Sequence, residues 1–385
     1  MPMEDFTIRE LRSNDMPLVR KLGRRALPFP FSILMAATVT PVGLVADDHR
    51  GTLIGALTFR TAHVAQHCWG ILDWAVVDPA HQVTGIGTAL GDHALPLLRQ
   101  QQCDDVITTG IDGYNSASWN AAYARGLRYW PASHQIRMLG WHWPRLLVII
   151  PHIGVHTFIL RRSLGTPDQE KADPTLNPGH RAWLVATAWS VLVLMLSRVR
   201  EVLWESSVPA DFLAPLAPTV ILAGTVVMVG YVAVRTLAYS LAARALSVPL
   251  AFRLWESGML LGTLLAVAFS AFIPAFKGNY YVRDSRFDYR RNRAVMGKVM
   301  LAGSAASLGL FLLFQVWMSH SAAPIPILST LGSYVGIAFG ITDTLAFFPP
   351  FQSLPAGHMW SWHRGIGLVM LVCFLAIWWL IPQIV

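Results

Sequence analysis

The sequence is poor in cysteine and in charged side chains. Its three cysteines stand far apart, at positions 68, 103 and 373 of 385. That number and spacing exclude a disulfide framework and a thiolate metal site, so we expect small buried side chains in a reducing compartment. Only 14% of the residues are charged, against about 25% in an ordinary soluble domain. The composition therefore argues against a purely soluble, disordered or collagen-like chain.

The first residues also lack a basic flank followed by an apolar core, so we expect no cleavable signal peptide. The N-terminal domain is then expected to stay in the cytoplasm. Residues 1–145 carry 13 basic and 12 acidic side chains, whereas 146–385 carry 17 and 10. The basic residues that make up this excess stand between long apolar runs. This pattern is typical of loops beside membrane helices and not of a nucleic-acid-binding face.

Residues 6–140 alternate between strand and helix patterns, with turn residues between them. This order predicts a mixed α/β domain of ordinary size. The expected strands are 6–11, 43–46, 53–60, 69–77, 106–111 and 135–141. The expected helices are 16–26, 86–101 and 116–124.

Residues 161–181 are polar and contain prolines, as linkers do. Six apolar runs follow, most of them near the roughly 20 residues that span a bilayer. They lie at about 183–197, 213–234, 255–276, 297–318, 326–348 and 364–382. The expected organisation is an α/β domain at 1–145, an interfacial segment and linker at 146–182, and an all-α polytopic membrane domain at 183–385.

The apolar segment 146–160 is too short for a confident span, so it could lie in the interface or re-enter the membrane. Whether this segment crosses the membrane decides on which side the later loops lie. With six spans the loop 277–298, which carries seven basic residues, would face outward, against the positive-inside tendency. A seventh span would place it inside, so the number of spans stays open, in a multi-pass protein of the cell membrane.

The strongest local motif lies at the start of the predicted helix 86–101. Closely spaced glycines let backbone N–H groups approach an anion, and the helix start adds the positive end of its dipole. On its own, a glycine pair at a helix start is more often a turn. The motif consists of Gln82, Val83, Thr84, Gly85, Ile86, Gly87 and Thr88.

The glycine motif belongs to a longer series of residues, whose other members are Ile8, Arg9, Asp15, Gly55, the run 73–79, Asn115 and Gly126. In this order the series resembles the GNAT N-acetyltransferase family over residues 6 to about 140. The glycine motif matches the family's Gln/Arg-x-x-Gly-x-Gly/Ala at every defined position.

The resemblance implies a splayed sheet that binds acetyl-CoA. The pyrophosphate would lie on the backbone of 83–88, and the pantetheine along the strand at Val76 and Val77, with Asn115 as a further contact. The backbone N–H of Val76 would polarise the thioester carbonyl, which is oxyanion stabilisation without a side chain.

Transfer to an amine needs a base for the ammonium proton and an acid for the leaving thiolate. Asp73 stands where the family often has a glutamate base, and the alternative is a carboxylate that caps a strand end. The family's acid is often a tyrosine that corresponds to Ala122, with Tyr123 beside it. One residue turns a helical side chain by about 100 degrees, so Tyr123 serves as the acid only if the helix is rewound.

Five segments of the apolar half follow one another at 235–246, 248–255, 297–303, 345–348 and 354–358. In that order they look like the site-two protease family of intramembrane zinc metalloproteases, over residues 215–370. The segments around the expected catalytic positions match the family better than the residues at those positions do. Arg235, Thr236 and Tyr239 stand where the family has His, Glu and His, and Ala356 replaces its third ligand, an aspartate. Because zinc hydrolysis needs three ligands and a base, the resemblance implies a pseudoprotease without metal. The alternative is a generic helical bundle.

Two features of the apolar half remain. His152 and His156 share a helix face, but no third ligand accompanies them, so we interpret them as interfacial histidines. Asp343 lies in an apolar run, either paired with Arg235 or capping a helix end.

The function predicted from these features is a membrane-anchored N-acetyltransferase that uses acetyl-CoA and an amine acceptor, with the lipid bilayer as a partner, no nucleic acid and no metal. One alternative is an acetyl-CoA sensor or scaffold without turnover, and another is a small-molecule transporter.

Overall fold

The computed structural model describes residues 6–27, 31–82, 84–111, 121–150, 157–165, 180–205, 217–274, 278–282, 289–319, 326–347 and 354–380. The chain divides into two compact units, Met1–Asp173 and Pro174–Val385. We call them the sheet unit and the helical unit.

The sheet unit contains one seven-stranded sheet in the order β1-β2-β3-β4-β5-β7-β6. Strands β1 to β4 are antiparallel neighbours, β4 and β5 run parallel, and β7 pairs antiparallel with both β5 and β6. The strands are β1 Phe6–Glu10, β2 Gly43–Asp48, β3 Leu53–Val64, β4 His67–Val77, β5 Asp105–Ile111, β6 Arg128–Tyr129 and β7 Thr157–Ser163. The helices are α1 Met16–Ala26, α2 Phe31–Thr38, α3 Ile86–Gln100, α4 Ala132–Leu139 and α5 Trp143–Ile149. The predicted mixed α/β domain is confirmed.

Helices α1 and α3 cover opposite faces of this sheet. Ala56 packs in a buried cluster with Val19 of α1. At the adjacent Gly55, an added Cβ would lie 2.7 Å from a methyl group of Ile86 in α3. Because successive residues of a strand point to opposite faces, the two helices lie on opposite sides.

The sheet opens between β4 and β5. These strands pair only from Trp69–Asp105 to Leu72–Thr108, where the Thr108 hydroxyl donates to the Leu72 carbonyl at 3.1 Å. Beyond this point β4 stays paired with β3 alone and β5 with β7. The rest of β4, from Asp73 onward, therefore has a free edge facing β5.

Two expectations for the end of the sheet unit are wrong. The segment predicted as a strand at 135–141 is helix α4 followed by a turn, because the buried side chains are Gln135 and Leu139, four residues apart. Strand β7 lies inside the segment expected to be an interface and linker at 146–182. The sheet unit therefore extends past residue 145, and the units divide at Asp173.

The helical unit contains all six apolar runs as helices. Its helices are α6 His180–Glu205, α7 Pro218–Ala245, α8 Glu256–Phe269, α9 Tyr289–Ser319, α10 Pro326–Thr344, α11 Pro355–Trp362 and α12 Arg364–Leu375. The expectation of an all-α domain is wrong in one respect, because β8 Leu250–Leu254 and β9 Gly278–Val282 form an antiparallel pair. Within the described ranges, two helices are long and apolar enough to cross a membrane, at Pro218–Ala245 and Asn292–Ser319. The six-span prediction is not confirmed.

Candidate functional site

The loop before α3 has the geometry of an anion-binding turn. Gly85 adopts a left-handed conformation with φ +91°, which favours glycine, and the Ala89 N–H donates to its carbonyl as the first bond of the helix. A Cβ added at Gly85 would meet nothing within 4 Å. The backbone N–H groups of the first helical turn have no carbonyl partner within the helix, which is the usual basis of an anion site at a helix start.

Several side chains shape the approach to this turn. The Asp78 carboxylate accepts from the Ala80 N–H at 3.0 Å and pairs with Arg25 at 3.1 Å. The Thr84 hydroxyl donates to the His81 carbonyl at 2.7 Å. Gln82 is exposed, and its amide lies 3.4 Å from the Val77 carbonyl. Val83 lies outside the described residues.

The free edge of β4 presents backbone groups toward β5. The Asp78 N–H donates to the Ile54 carbonyl on β3, and Val76 is the partner of Ala56. Because N–H directions alternate along a strand, Val76 also directs its N–H to β3, whereas Ala75 and Val77 direct theirs into the gap. The register therefore turns the Val76 N–H away from the gap, contrary to the oxyanion role expected for it, and leaves the Ala75 and Val77 N–H groups directed into the gap.

Asp73 is the extra residue of a β-bulge at the mouth of the gap. Thr58 pairs with Trp74 and Phe59 with Leu72, which leaves Asp73 without an opposite residue. Bulges of this kind often re-aim a side chain beside an active site. The Asp73 carboxylate is only 1% exposed, with one oxygen 3.1 Å from the Arg60 Nε. Burial raises the pKa of Asp73 to about 6, although Arg60 opposes the shift.

Arg60 is the residue that sequence reasoning missed at this point. Its guanidinium pairs with Asp73 and also donates to the Ile149 carbonyl. One feature of the sequence points to Arg60, since it is an arginine on a predicted strand whose other residues are largely apolar. Its partner, however, is set by the register of β3 against β4.

The candidate acid Tyr123 lies in a short helical segment beside Ala122. Residues 121–124 are helical, Ala122 is buried and Tyr123 is half-buried. The Arg128 guanidinium lies 5.4 Å from the centre of the Tyr123 ring. Asn115 lies outside the described residues, so the structure does not place it.

A model of the GNAT acetyltransferase family matches residues 8–127. Residues 8–127 form a GNAT acetyltransferase domain. The matched segment contains the gap, the bulge at Asp73 and the glycine turn, so these features belong to the GNAT domain. No curated protein matches the chain.

Several solved structures are similar to part of the chain. A glucosamine N-acetyltransferase region of a fungal multi-domain GH3 β-N-acetylglucosaminidase is 21% identical, with a TM-score of 0.29; the match covers 33% of this chain and only 17% of that one. The NatC complex bound to Gag peptide and CoA is 17% identical, with a TM-score of 0.33 and coverage of 42% and 99%. The ribosomal-protein-S18-alanine N-acetyltransferase of Escherichia coli is 17% identical, with a TM-score of 0.31 and coverage of 44% and 99%.

The helical unit has a cavity beside one turn of α7. Arg235, Thr236 and Tyr239 line one cavity, together with Leu354 and Pro355. Across the described ranges, no three histidine, cysteine, aspartate or glutamate side chains meet in an arrangement that could hold a metal.

Asp343 lies in this unit and is paired with Arg235, the first of the two alternatives considered for it. The Arg235 Nη2 donates to its carboxylate at 2.7 Å, and the other terminal nitrogen reaches both Asp343 and Ser307, the latter at 2.9 Å. Both ion-pair partners are buried.

The cysteines differ from expectation in two respects. Cys373 is exposed, whereas Cys68 and Cys103 are buried as predicted. These two, 35 positions apart, lie with sulfur atoms 3.2 Å from each other, because the start of β4 runs beside the start of β5.

Proposed function

We propose that the chain is a membrane-anchored N-acetyltransferase that moves an acetyl group from acetyl-CoA to an amine. The observation that carries the proposal is the gap between β4 and β5, which opens at Asp73 beside an unobstructed helix N-terminus. The GNAT domain supplies the reaction class, and its backbone supplies the means to bind the thioester substrate.

The residues present fit acetyl-CoA. The open space at Gly85 leaves room for a pyrophosphate on the N–H groups of Ile86, Gly87 and Thr88, which also lie at the positive end of α3. The free edge of β4 matches an extended pantetheine arm, with N–H donors at Ala75 and Val77. One of these two donors would stabilise the oxyanion when the amine attacks the acetyl carbonyl.

Asp73 is our candidate for the base. A pKa of about 6 leaves the carboxylate ionised at neutral pH and still close to the value at which proton acceptance is efficient. Because the side chain is buried against Arg60, it would receive the ammonium proton through a water molecule. Tyr123 stays the candidate for the acid that protonates the CoA thiolate.

Membrane anchoring is supported by the outer surface of α7. This helix has 28 residues, or about 42 Å, against about 30 Å of bilayer hydrocarbon. Its outward side chains form an apolar stripe that includes Leu222 at 65% and Leu237 at 60% exposure. A core helix of a soluble protein would bury that stripe, whereas lipid accepts it. The other exposed members of the stripe are Val226, Val229 and Leu241.

We further propose that the helical unit is a catalytically silent scaffold. The buried pair of Arg235 and Asp343 occupies the region where the protease-like resemblance expects a metal and a water, and it brings a cation instead of ligands.

The test is release of CoA from acetyl-CoA by purified full-length protein, measured against a panel of amines. Gly85→Glu places a carboxylate in the phosphate cradle and should reduce acetyl-CoA affinity at least a hundredfold, measured by calorimetry. Gly51→Glu, at another positive-φ glycine with open space, is the matched control and should leave the affinity unchanged. Equal affinities for the two variants would overturn the site.

A second candidate function is an acetyl-CoA sensor without turnover. The burial of Asp73 and the presence of Ala122 at the expected tyrosine position favour it. Tight binding of acetyl-CoA with no CoA release on any amine would decide for the sensor.

A further inference from the structure

The sheet unit has an outward corner between α4 and α5, which we call the basic corner and define as residues 136–145. Helix α4 ends at Gly140, whose φ of +52° and ψ of −128° suit glycine alone. A single turn of 3-10 helix, Gly140–His142, then leads into α5. The corner thus depends on one glycine.

The inner side of the basic corner is fixed to the core. The Trp143 indole donates to the Gln135 side chain at 2.9 Å, and Gln135 in turn donates to the Trp130 carbonyl at 2.6 Å. Leu139 and Leu146 are buried in the same cluster as Trp130. The corner is therefore a rigid element whose outer residues keep their direction.

The outer side is apolar and basic. Trp141 is 98% exposed and Ile136 is 47% exposed, while Arg137 and Arg145 also face solvent. An indole that stays fully exposed contributes nothing to the stability of the fold, because its large apolar surface remains hydrated. Exposed aromatic residues beside cations are typical of interaction surfaces.

The segment of the sequence that contains the corner carries charge of one sign. Residues 113–167 contain six arginines and no aspartate or glutamate. Four of these arginines are engaged inside the unit, with carboxylates or backbone carbonyls, namely Arg125, Arg128, Arg161 and Arg162. The remaining two, Arg137 and Arg145, form no ion pair with any residue in the described part of the chain. The corner therefore offers two uncompensated cations to an anionic partner.

We propose that the basic corner docks on the anionic lipid surface of the membrane that anchors the chain, with Trp141 at the headgroup level and Arg137 and Arg145 on lipid phosphates. The inference rests on the membrane anchoring proposed above. A bilayer is favoured over an acidic protein because an indole between cations is typical of membrane interfaces, and because the chain continues into apolar helices.

Docking of this kind has a defined strength. Each arginine near an anionic surface contributes about a fivefold factor to the docking equilibrium, and the effect is screened by salt. Loss of both arginines should therefore weaken docking about 25-fold.

The experiment places a fluorescent label at the corner of the full-length protein. His142→Cys lies beside Trp141 and is exposed, and Cys373→Ser removes the exposed native thiol, while Cys68 and Cys103 are buried. The labelled protein is reconstituted in nanodiscs of phosphatidylcholine with 25% phosphatidylglycerol, or of phosphatidylcholine alone. A small fraction of the lipid carries a nitroxide near the headgroup. Arg50→Cys, exposed in the turn between β2 and β3, is the matched control.

We expect strong quenching of the label at 142 in anionic discs, less in neutral discs or high salt, and none at 50. Trp141→Ser, or Arg137→Gln with Arg145→Gln, should remove most of the quenching, and Trp141→Tyr should retain it. Co-elution with discs but equal, weak quenching at 142 and 50 would overturn the docking and leave an acidic protein as the partner. Failure to co-elute with discs would instead refute the anchoring in the proposed function.

Discussion

Asp73→Asn tests the electrostatics of the gap most directly. In the folded protein burial raises the pKa of Asp73 from 3.8 to about 6, so the folded state prefers the protonated carboxyl. The contribution of this group to stability is fully present below pH 4 and is lost as the pH rises through 6. The shift corresponds to about 3 kcal/mol of unfolding free energy. Asparagine does not titrate, so the variant lacks this loss.

The prediction concerns the difference between the two proteins at two pH values. Relative to the wild type, Asp73→Asn should gain about 2.4 kcal/mol between pH 4 and pH 7, whatever packing change it brings at both, because at pH 4 the unfolded carboxyl is already partly ionised. Amide hydrogen exchange of the β3 and β4 segments measures this, since about 2.4 kcal/mol is about fiftyfold in protection. Comparison at each pH cancels the intrinsic exchange chemistry.

A control of opposite sign is present in the same unit. The half-buried Asp48 accepts from the Thr52 N–H at 2.7 Å, and that bond, with others, lowers its pKa. Its stabilising effect is present above the usual carboxyl pKa and lost as the pH falls, so Asp48→Asn should lose protection at pH 7 and less at pH 4. If the difference in protection between Asp73→Asn and the wild type is the same at both pH values, the assignment of a raised pKa to Asp73 is wrong.

Two further substitutions test packing. Gly55→Ala puts a Cβ 2.7 Å from Ile86 and should cost about 1–3 kcal/mol in thermal unfolding, since α3 must shift; an unchanged Tm would contradict the close approach of α3 to β3. Arg235→Met leaves Asp343 buried without its cation and should destabilise the detergent-solubilised protein by about 3–5 kcal/mol. Adding Asp343→Leu should recover most of that loss, and a double variant as unstable as the single one would refute the pairing.

Much of the architecture could be predicted because it depends on patterns among neighbouring residues in the sequence. The hydropathy runs locate every long helix of the helical unit, and the glycine pair locates the start of α3. The prediction of a strand at 135–141 was wrong, because a few alternating apolar residues fit a strand as well as a helix. Strand β7 was hidden for a similar reason, since Phe158, Ile159 and Leu160 continue an apolar run that reads as membrane-facing.

The sequence by itself determined that the chain has two parts, that one is an α/β domain with a glycine turn at the start of α3, and that the other is built from apolar helices. Those properties depend on neighbouring residues, through hydrophobic periodicity and the conformational freedom of glycine. Only the tertiary structure decided which strand edge is free, that Asp73 lies in a bulge against Arg60, and that Arg235 meets Asp343 across 108 positions. Such pairings depend on register and packing between distant segments, because a shift of one residue in a strand redirects every backbone donor and side chain.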